Sequence, residues 1–280
     1  MKRILVPTDF SATAEKALLF AIDLAKKAGS SIMLYHVYTP VESVFIESFA
    51  ERKLHNENMQ LEVMRQMQEL IDTFNPNNEV AIASIVGKAP LLDNVVRFAK
   101  KNHADLIVMG TQGASGLKKA LIGTVAAKMI EASHIPVLLI PEQFDGTPIQ
   151  SVVYATSYHP SDIDALTVTL GIAHVLAASS TIVRIGLTGE ESKEQEEFEN
   201  YATLVKDHFD PIPLQFRLES GHDIQTTMEG LYDHIPYDML AMVRRKKSFL
   251  ESFFLESFTE HMCYVTRQPL LIVPETEETL

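Results

Sequence analysis

The sequence predicts an α/β protein built from two tandem, doubly wound, open parallel sheets. Three observations predict it. Short apolar runs without polar alternation take turns with helical stretches along the chain. That is how strands read when crossover helices cover both faces of a sheet. Asp105 to Glu142 aligns without a gap on Asp238 to Glu275, with the same succession of strand, loop, helix, proline and strand. A length of 280 residues, with 46% hydrophobic and 22% charged, suits two ordinary globular domains.

The elements follow in order. Ile4 to Val6 is a short buried strand. Ser11 can cap the next helix, in which Ala14, Leu18, Ala21, Leu24, Ala25 and Ala28 recur at helical spacing, and Gly29 stands where a C-cap belongs. Ile32 to Val37 is strand two. Val41 to Phe74 is a long, charged, mostly helical connection with Met64, Met67, Leu70 and Ile71 as its inner face. Asn75 to Asn78 is a turn, Val80 to Val86 strand three, and Leu91, Leu92, Val95, Val96 and Ala99 mark a helix. Asp105 to Met109 is strand four. A glycine-rich stretch follows, then a helix around Val125 to Ser133, then Val137 to Ile140 as strand five.

The repeat divides the chain into 1–143 and 149–280. Nine of the 38 aligned positions are identical, among them Asp105/Asp238, Met129/Met262 and Pro136/Pro269. Upstream, Ile4–Asp9 falls on Val152–Ser157, Ser30–Leu34 on Ser179–Val183, and Gly87 on Gly221. The second half is shorter by 15 residues after strand two. Two copies are too few for a solenoid.

A net charge of −13 repels nucleic-acid phosphates but still allows a local anion site. The single cysteine, Cys263, excludes an internal disulfide framework and a thiolate metal cluster. Pro7 and Asp9 cut the apolar start short of a signal sequence, and no apolar run nears the ~18 residues of a spanning helix. The expectation is a cytoplasmic protein without membrane or nucleic-acid partners.

In open α/β sheets, ligands bind at the carboxyl ends of strands where the strand order reverses. Pro7-Thr8-Asp9 follows strand one, and Met109-Gly110 ends strand four. From Gly110 to Thr124 the chain holds four glycines, Lys118, Lys119 and no acid. Glycine admits φ > 0 and close ligand approach. Free amides there, with the N-terminus of the helix opened by Gly123-Thr124, can hold a phosphate. Each feature also has a plainer reading: a flexible turn for the glycines, a solvated face for the lysines, a helix start for Asp9.

Gly110-x2-Gly113-x9-Gly123-Thr124, with Ile4–Ser11, Ala104–Gly110 and Ile135–Ile140, resembles the universal stress protein family, closely in the first half and loosely in the second. The resemblance implies an adenine nucleotide alpha hydrolase-like sheet in the order 3-2-1-4-5. It implies a site for ATP (or AMP/ADP). Pro7, Thr8 and Asp9 would border ribose and phosphates, and Val37 would meet adenine through its backbone. Met109, Gly110, Gly113, Lys118, Gly123, Thr124 and Val125 would complete it, with Mg²⁺ at Asp9. It further implies that the fifth strands, Val137–Ile140 and Leu270–Val273, pair.

In the second half Gly110, Gly113 and Gly123 become Val243, Lys246 and Glu256, and Asp9 becomes Ser157. Val243 suits a φ > 0 position poorly, and Glu256 repels phosphate. That half reads as degenerate. Arg244–Lys247 reads as a solvated basic loop, and Phe249, Phe253, Phe254 and Phe258 as filling the volume of a closed site. No Walker A run, His-Glu-x-x-His or nucleophile elbow occurs. His36, inside strand two, reads as structural. The functional expectation is a nucleotide-responsive stress regulator, with a homodimer and an unnamed protein partner left open. The alternatives are a slow ATPase or phosphoryl-transfer enzyme, and a nucleotide-free scaffold.

Overall fold

A computed structural model describes residues 1–41, 48–111, 124–159, 162–188, 191–245, 262 and 265–275. The chain packs as two compact units, Met1–Ile135 and Pro136–Leu280. In the first, β1 (Arg3–Pro7), α1 (Ala12–Ala28), β2 (Ser31–Tyr38), α2 (Phe49–Phe74), β3 (Ile82–Lys88), α3 (Leu91–Lys101), β4 (Leu106–Gly110) and α4 (Thr124–Ala132) alternate as predicted. The strands are parallel in the order 3-2-1-4, with Arg3 level with Ser31, Ile32 with Ile82 and Ile4 with Leu106. Ile4, Leu5, Val6, Leu34 and Ile107 are fully buried, as strands covered on both faces require.

The second unit contains β5 (Val137–Ile140), β6 (Ser151–Thr156), α5 (Asp162–Leu176), β7 (Ser179–Leu187), α6 (Glu191–Phe209), β8 (Leu214–Gly221), α7 (Ile224–Glu229), α8 (Leu231–His234), β9 (Met239–Arg244) and β10 (Leu270–Pro274). Its repeat strands β8-β7-β6-β9-β10 lie parallel in the full order 3-2-1-4-5. β5 pairs antiparallel with β10, Leu139 opposite Leu270 and Val137 opposite Ile272, so the two fifth strands meet as the resemblance implied. No helix among the described residues is long and apolar enough to cross a membrane.

Local chemistry explains the boundaries. Ser11 caps α1 by accepting the Ala14 N–H at 3.2 Å, and Gly29 ends it at φ +64°. The identity Asp105/Asp238 has a common role. Each carboxylate accepts two amides that open the neighbouring first strand: Lys2 at 2.5 Å and Arg3 at 2.9 Å, Gln150 and Ser151 both at 2.9 Å.

Three readings shift. β3 starts at Ile82 because Asn75 binds both the carbonyl and the amide of Val80 (2.8 and 3.2 Å), which holds Val80 in the turn. The inner face of α2 is Val63, Met67 and Ile71 at i, i+4, i+8, while Met64 lies about 100° round the helix and is 46% exposed. Ser31, rather than Ser30, matches Ser179: each donates its amide to the carbonyl before the first strand, of Lys2 and Gln150 respectively.

Candidate functional site

At the carboxyl end of β1 the chain turns tightly into α1. The Thr8 amide donates to the Tyr35 carbonyl at 2.8 Å, one residue past the strand. The buried Thr8 hydroxyl accepts the Phe10 N–H at 3.1 Å, and the Asp9 carboxylate accepts the Ser11 N–H at 3.1 Å. Phe10 adopts φ +62°, a left-handed conformation unusual for an aromatic residue. His36 holds it in place. Its Nδ1 lies 2.8 Å from the Thr8 carbonyl, which can only accept, so Nδ1 carries the proton, and its ring lies 4.6 Å from that of Phe10. His36 is the satisfied structural histidine that the sequence indicated, and it also shapes the site loop. The exposed Asp9 stands at the carboxyl end of β1, its Oδ1 accepting the amide that starts α1.

The register of β1 on β4, extended along both strands, sets Thr8 level with Gly110 and Asp9 level with Thr111. Met109 and Thr111 are buried around Gly110. Gly110 is not left-handed. A Cβ there would lie 2.7 Å from Thr13 Cγ2 and 3.0 Å from the Thr13 backbone, so glycine is needed for the close approach of β4 to α1. This replaces the expected φ > 0 requirement. Val243, its counterpart, accordingly continues β9 as an ordinary strand residue.

Val37 lies past the last β1–β2 pair, Pro7 with Tyr35. Ser31 and Tyr35 direct backbone groups at β1, and Ile32 at β3. By that alternation Val37 turns its amide and carbonyl toward the space beyond β1. Pro7, Thr8, Asp9, Val37, Met109 and Gly110 are therefore gathered at one strand-end crevice. Thr124 opens α4, and Val125 on its first turn is exposed. Gly113, Lys118 and Gly123 lie outside the described residues.

The second unit repeats the loop and changes the chemistry. Tyr158, the counterpart of Phe10, has φ +64°, and its amide donates to Thr156 Oγ1 at 3.1 Å. Where the first unit has Ala14, the second has Asp162, 0% exposed. Its carboxylate accepts the Thr156 hydroxyl at 2.6 Å and the Ser157 amide at 3.1 Å, and faces Arg245 Nη2 at 3.5 Å. Arg245 also donates to the Ser157 hydroxyl. Arg245 is thus a mostly buried ion-pair partner, which corrects the reading of 244–247 as a wholly solvated loop; Lys246, Lys247 and the phenylalanines lie outside the described residues.

Beside this pair lie three buried hydroxyls, of Tyr154 near Asp162, Tyr158 near Glu194 and Tyr201 near Thr156. Burial, then the Asp162 charge, holds the Tyr154 phenol well above its ordinary range. Arg184 binds Glu194 at 2.6 Å and lies 4.5 Å over the Tyr158 ring. No spacing in the sequence announces this network; the one signal is an acid, Asp162, opening the apolar helix α5.

Among the described residues no three His, Cys, Asp or Glu side chains are grouped to hold a metal. The profile of the universal stress protein family matches residues 1–141. Universal stress protein MJ0531 of Methanocaldococcus jannaschii is 32% identical over 145 residues, spanning 50% of this chain and 81% of that one. MJ0577 of the same organism, also a universal stress protein, is 28% identical over 158 residues, spanning 50% and 94%. The crystal structure of a universal stress protein from Archaeoglobus fulgidus matches 98% of both chains with a TM-score of 0.74 at 17% identity, a likeness of fold across both halves. With half the chain matched by the family profile, this chain belongs to the universal stress protein family.

Proposed function

We propose that the first unit binds ATP, or AMP or ADP, as a regulatory ligand, and that the second unit has lost this capacity. The observation carrying the reading is the crevice itself. Pro7 and Gly110 end neighbouring strands at the reversal, with the Val37 backbone on the open side and the G-x2-G-x9-G-T motif starting at Gly110. Phosphates would sit on the amides of that loop and at the start of α4. Asp9 fits a single carboxylate ligand for Mg²⁺, which keeps waters and takes its remaining ligands from phosphate. The ion would supply charge neutralisation.

In the second unit, the Arg245–Asp162–Ser157 network sits where the nucleotide would enter, and Lys246 and Glu256 replace the second and third glycines. Regulation then means that nucleotide binds one of two states of the first unit more tightly, in a protein working in the cytoplasm.

Acid extraction of freshly purified protein, followed by calorimetric titration of stripped protein with ATP and Mg²⁺, tests the proposal. About one ATP at a site abolished by Gly113→Val is expected. Titration heats unchanged by Gly113→Val would sink it.

A further inference from the structure

Between β2 and α2 the first unit has ten residues, 39–48, where the second has three, 188–190, between β7 and α6; α2 has 26 residues against 19 in α6. Specific bonds hold the described residues of this added length. Ser48 and Glu51 close a capping box at the start of α2. Asn56, on the second turn, accepts the Val41 N–H at 2.9 Å and donates to the Val41 carbonyl at 3.2 Å. Val41 is thereby pinned to the second turn of the helix. A groove of about 440 Å³ opens at the carboxyl ends of β2 and β3, lined by Tyr38 and Lys88.

The lining has a definite chemistry. Arg52 and Lys53 come from the added part of α2, and Lys88 from the last residue of β3. Among the described lining residues the acid is Glu57, 3.8 Å from Lys53. There three cations face one carboxylate, in a chain whose net charge is −13. Tyr38 contributes a buried aromatic wall, and Phe49 stands at the rim, 76% exposed. Guanidinium and ammonium groups converging in a concave site select phosphate oxygens, and the aromatic rim offers a face for a planar group.

We infer that this groove is a second anion-binding site, for the phosphate of a small ligand, built from the start of α2 and the ends of β2 and β3. It uses none of the crevice residues, so it stands or falls independently of the nucleotide reading.

The test titrates the full chain with pyrophosphate, observed by phosphorus NMR, in wild type, Lys53→Ala/Lys88→Ala and Gly113→Val. Both lysines are on the surface, and thermal denaturation verifies that the double variant stays folded. Binding kept in Gly113→Val and weakened about tenfold or more in the lysine variant is expected, since contacts to charged groups are each worth roughly that factor. Loss that follows Gly113→Val alone overturns the inference. So does binding that neither variant weakens, or no binding to wild type at millimolar pyrophosphate.

Discussion

Asp162→Ala places in the second unit the residue that the first unit has at the matching point, Ala14. Two strong bonds disappear, from the Thr156 hydroxyl at 2.6 Å and the Ser157 amide at 3.1 Å, with a longer contact to Arg245 at 3.5 Å. Hydrogen bonds to a charged group contribute about 1.5–3 kcal/mol each, so the gross loss is about 3–6 kcal/mol. Against this, the variant no longer holds a fully buried carboxylate away from water, which returns part of that sum. A net cost of about 3 kcal/mol is expected, in line with removing one partner of a buried ion pair.

Arg245→Met strands the carboxylate instead and is expected to cost about as much. In the double variant neither charge is stranded, so its cost falls well below the sum of the singles, a coupling of about 2 kcal/mol. The assay is urea denaturation followed by circular dichroism and by tyrosine fluorescence, the chain having no tryptophan and eight tyrosines. Asp162→Ala within about 0.5 kcal/mol of wild type, or a double variant equal to the sum, would refute the view that the pair holds this crevice together.

Gly110→Ala is expected to lower stability by about 1–3 kcal/mol through overpacking on Thr13, with partial rescue by Thr13→Ala, read by thermal denaturation. Alkali should unfold the second unit first. Burial raises the phenols of Tyr154, Tyr158 and Tyr201, and pushes Tyr237 up to about 12. A raised phenol favours the protonated fold, so its stabilisation is whole below the ordinary value of 10 and lost as pH climbs toward 12. Tyrosinate absorbance should therefore rise together with loss of structure; smooth ionisation of these phenols in a folded chain would contradict the burial argument.

Much of the fold was legible because its signals are local. Ser11 and Gly29 mark helix ends through bonds reaching four residues or fewer, and the apolar runs mark strands directly. The Asp105/Asp238 identity helped mark the repeat, and the structure gives both the same job on the amides that open the first strands. That Pro7, Thr8, Asp9, Val37 and Gly110 lie at or just past the carboxyl ends of strands was legible too. What escaped is non-local. Arg245 and Asp162 are 83 residues apart, and nothing in either neighbourhood indicates a partner. Gly110 escaped for another reason: an absent Cβ serves a left-handed turn, a ligand or a close neighbour equally well, and only packing reveals that Thr13 is the neighbour. The shift of α2 from Met64 to Val63 is a rotation of one residue, which a helix rich in exposed methionine and leucine does not fix by itself.

The pairing of β5 with β10 bears on how this chain can be cut. Residues 1–143 alone would carry Val137–Ile140, four residues buried in the whole chain, with the hydrogen-bonding edge now covered by Leu270–Ile272 left bare. A bare apolar edge recruits whatever strand it meets, including its own copy. In the intact chain that strand comes on the same polypeptide, at a high effective concentration and in one-to-one ratio. Carrying both strands on one chain thus turns an encounter that would depend on protein concentration into a folding step that does not.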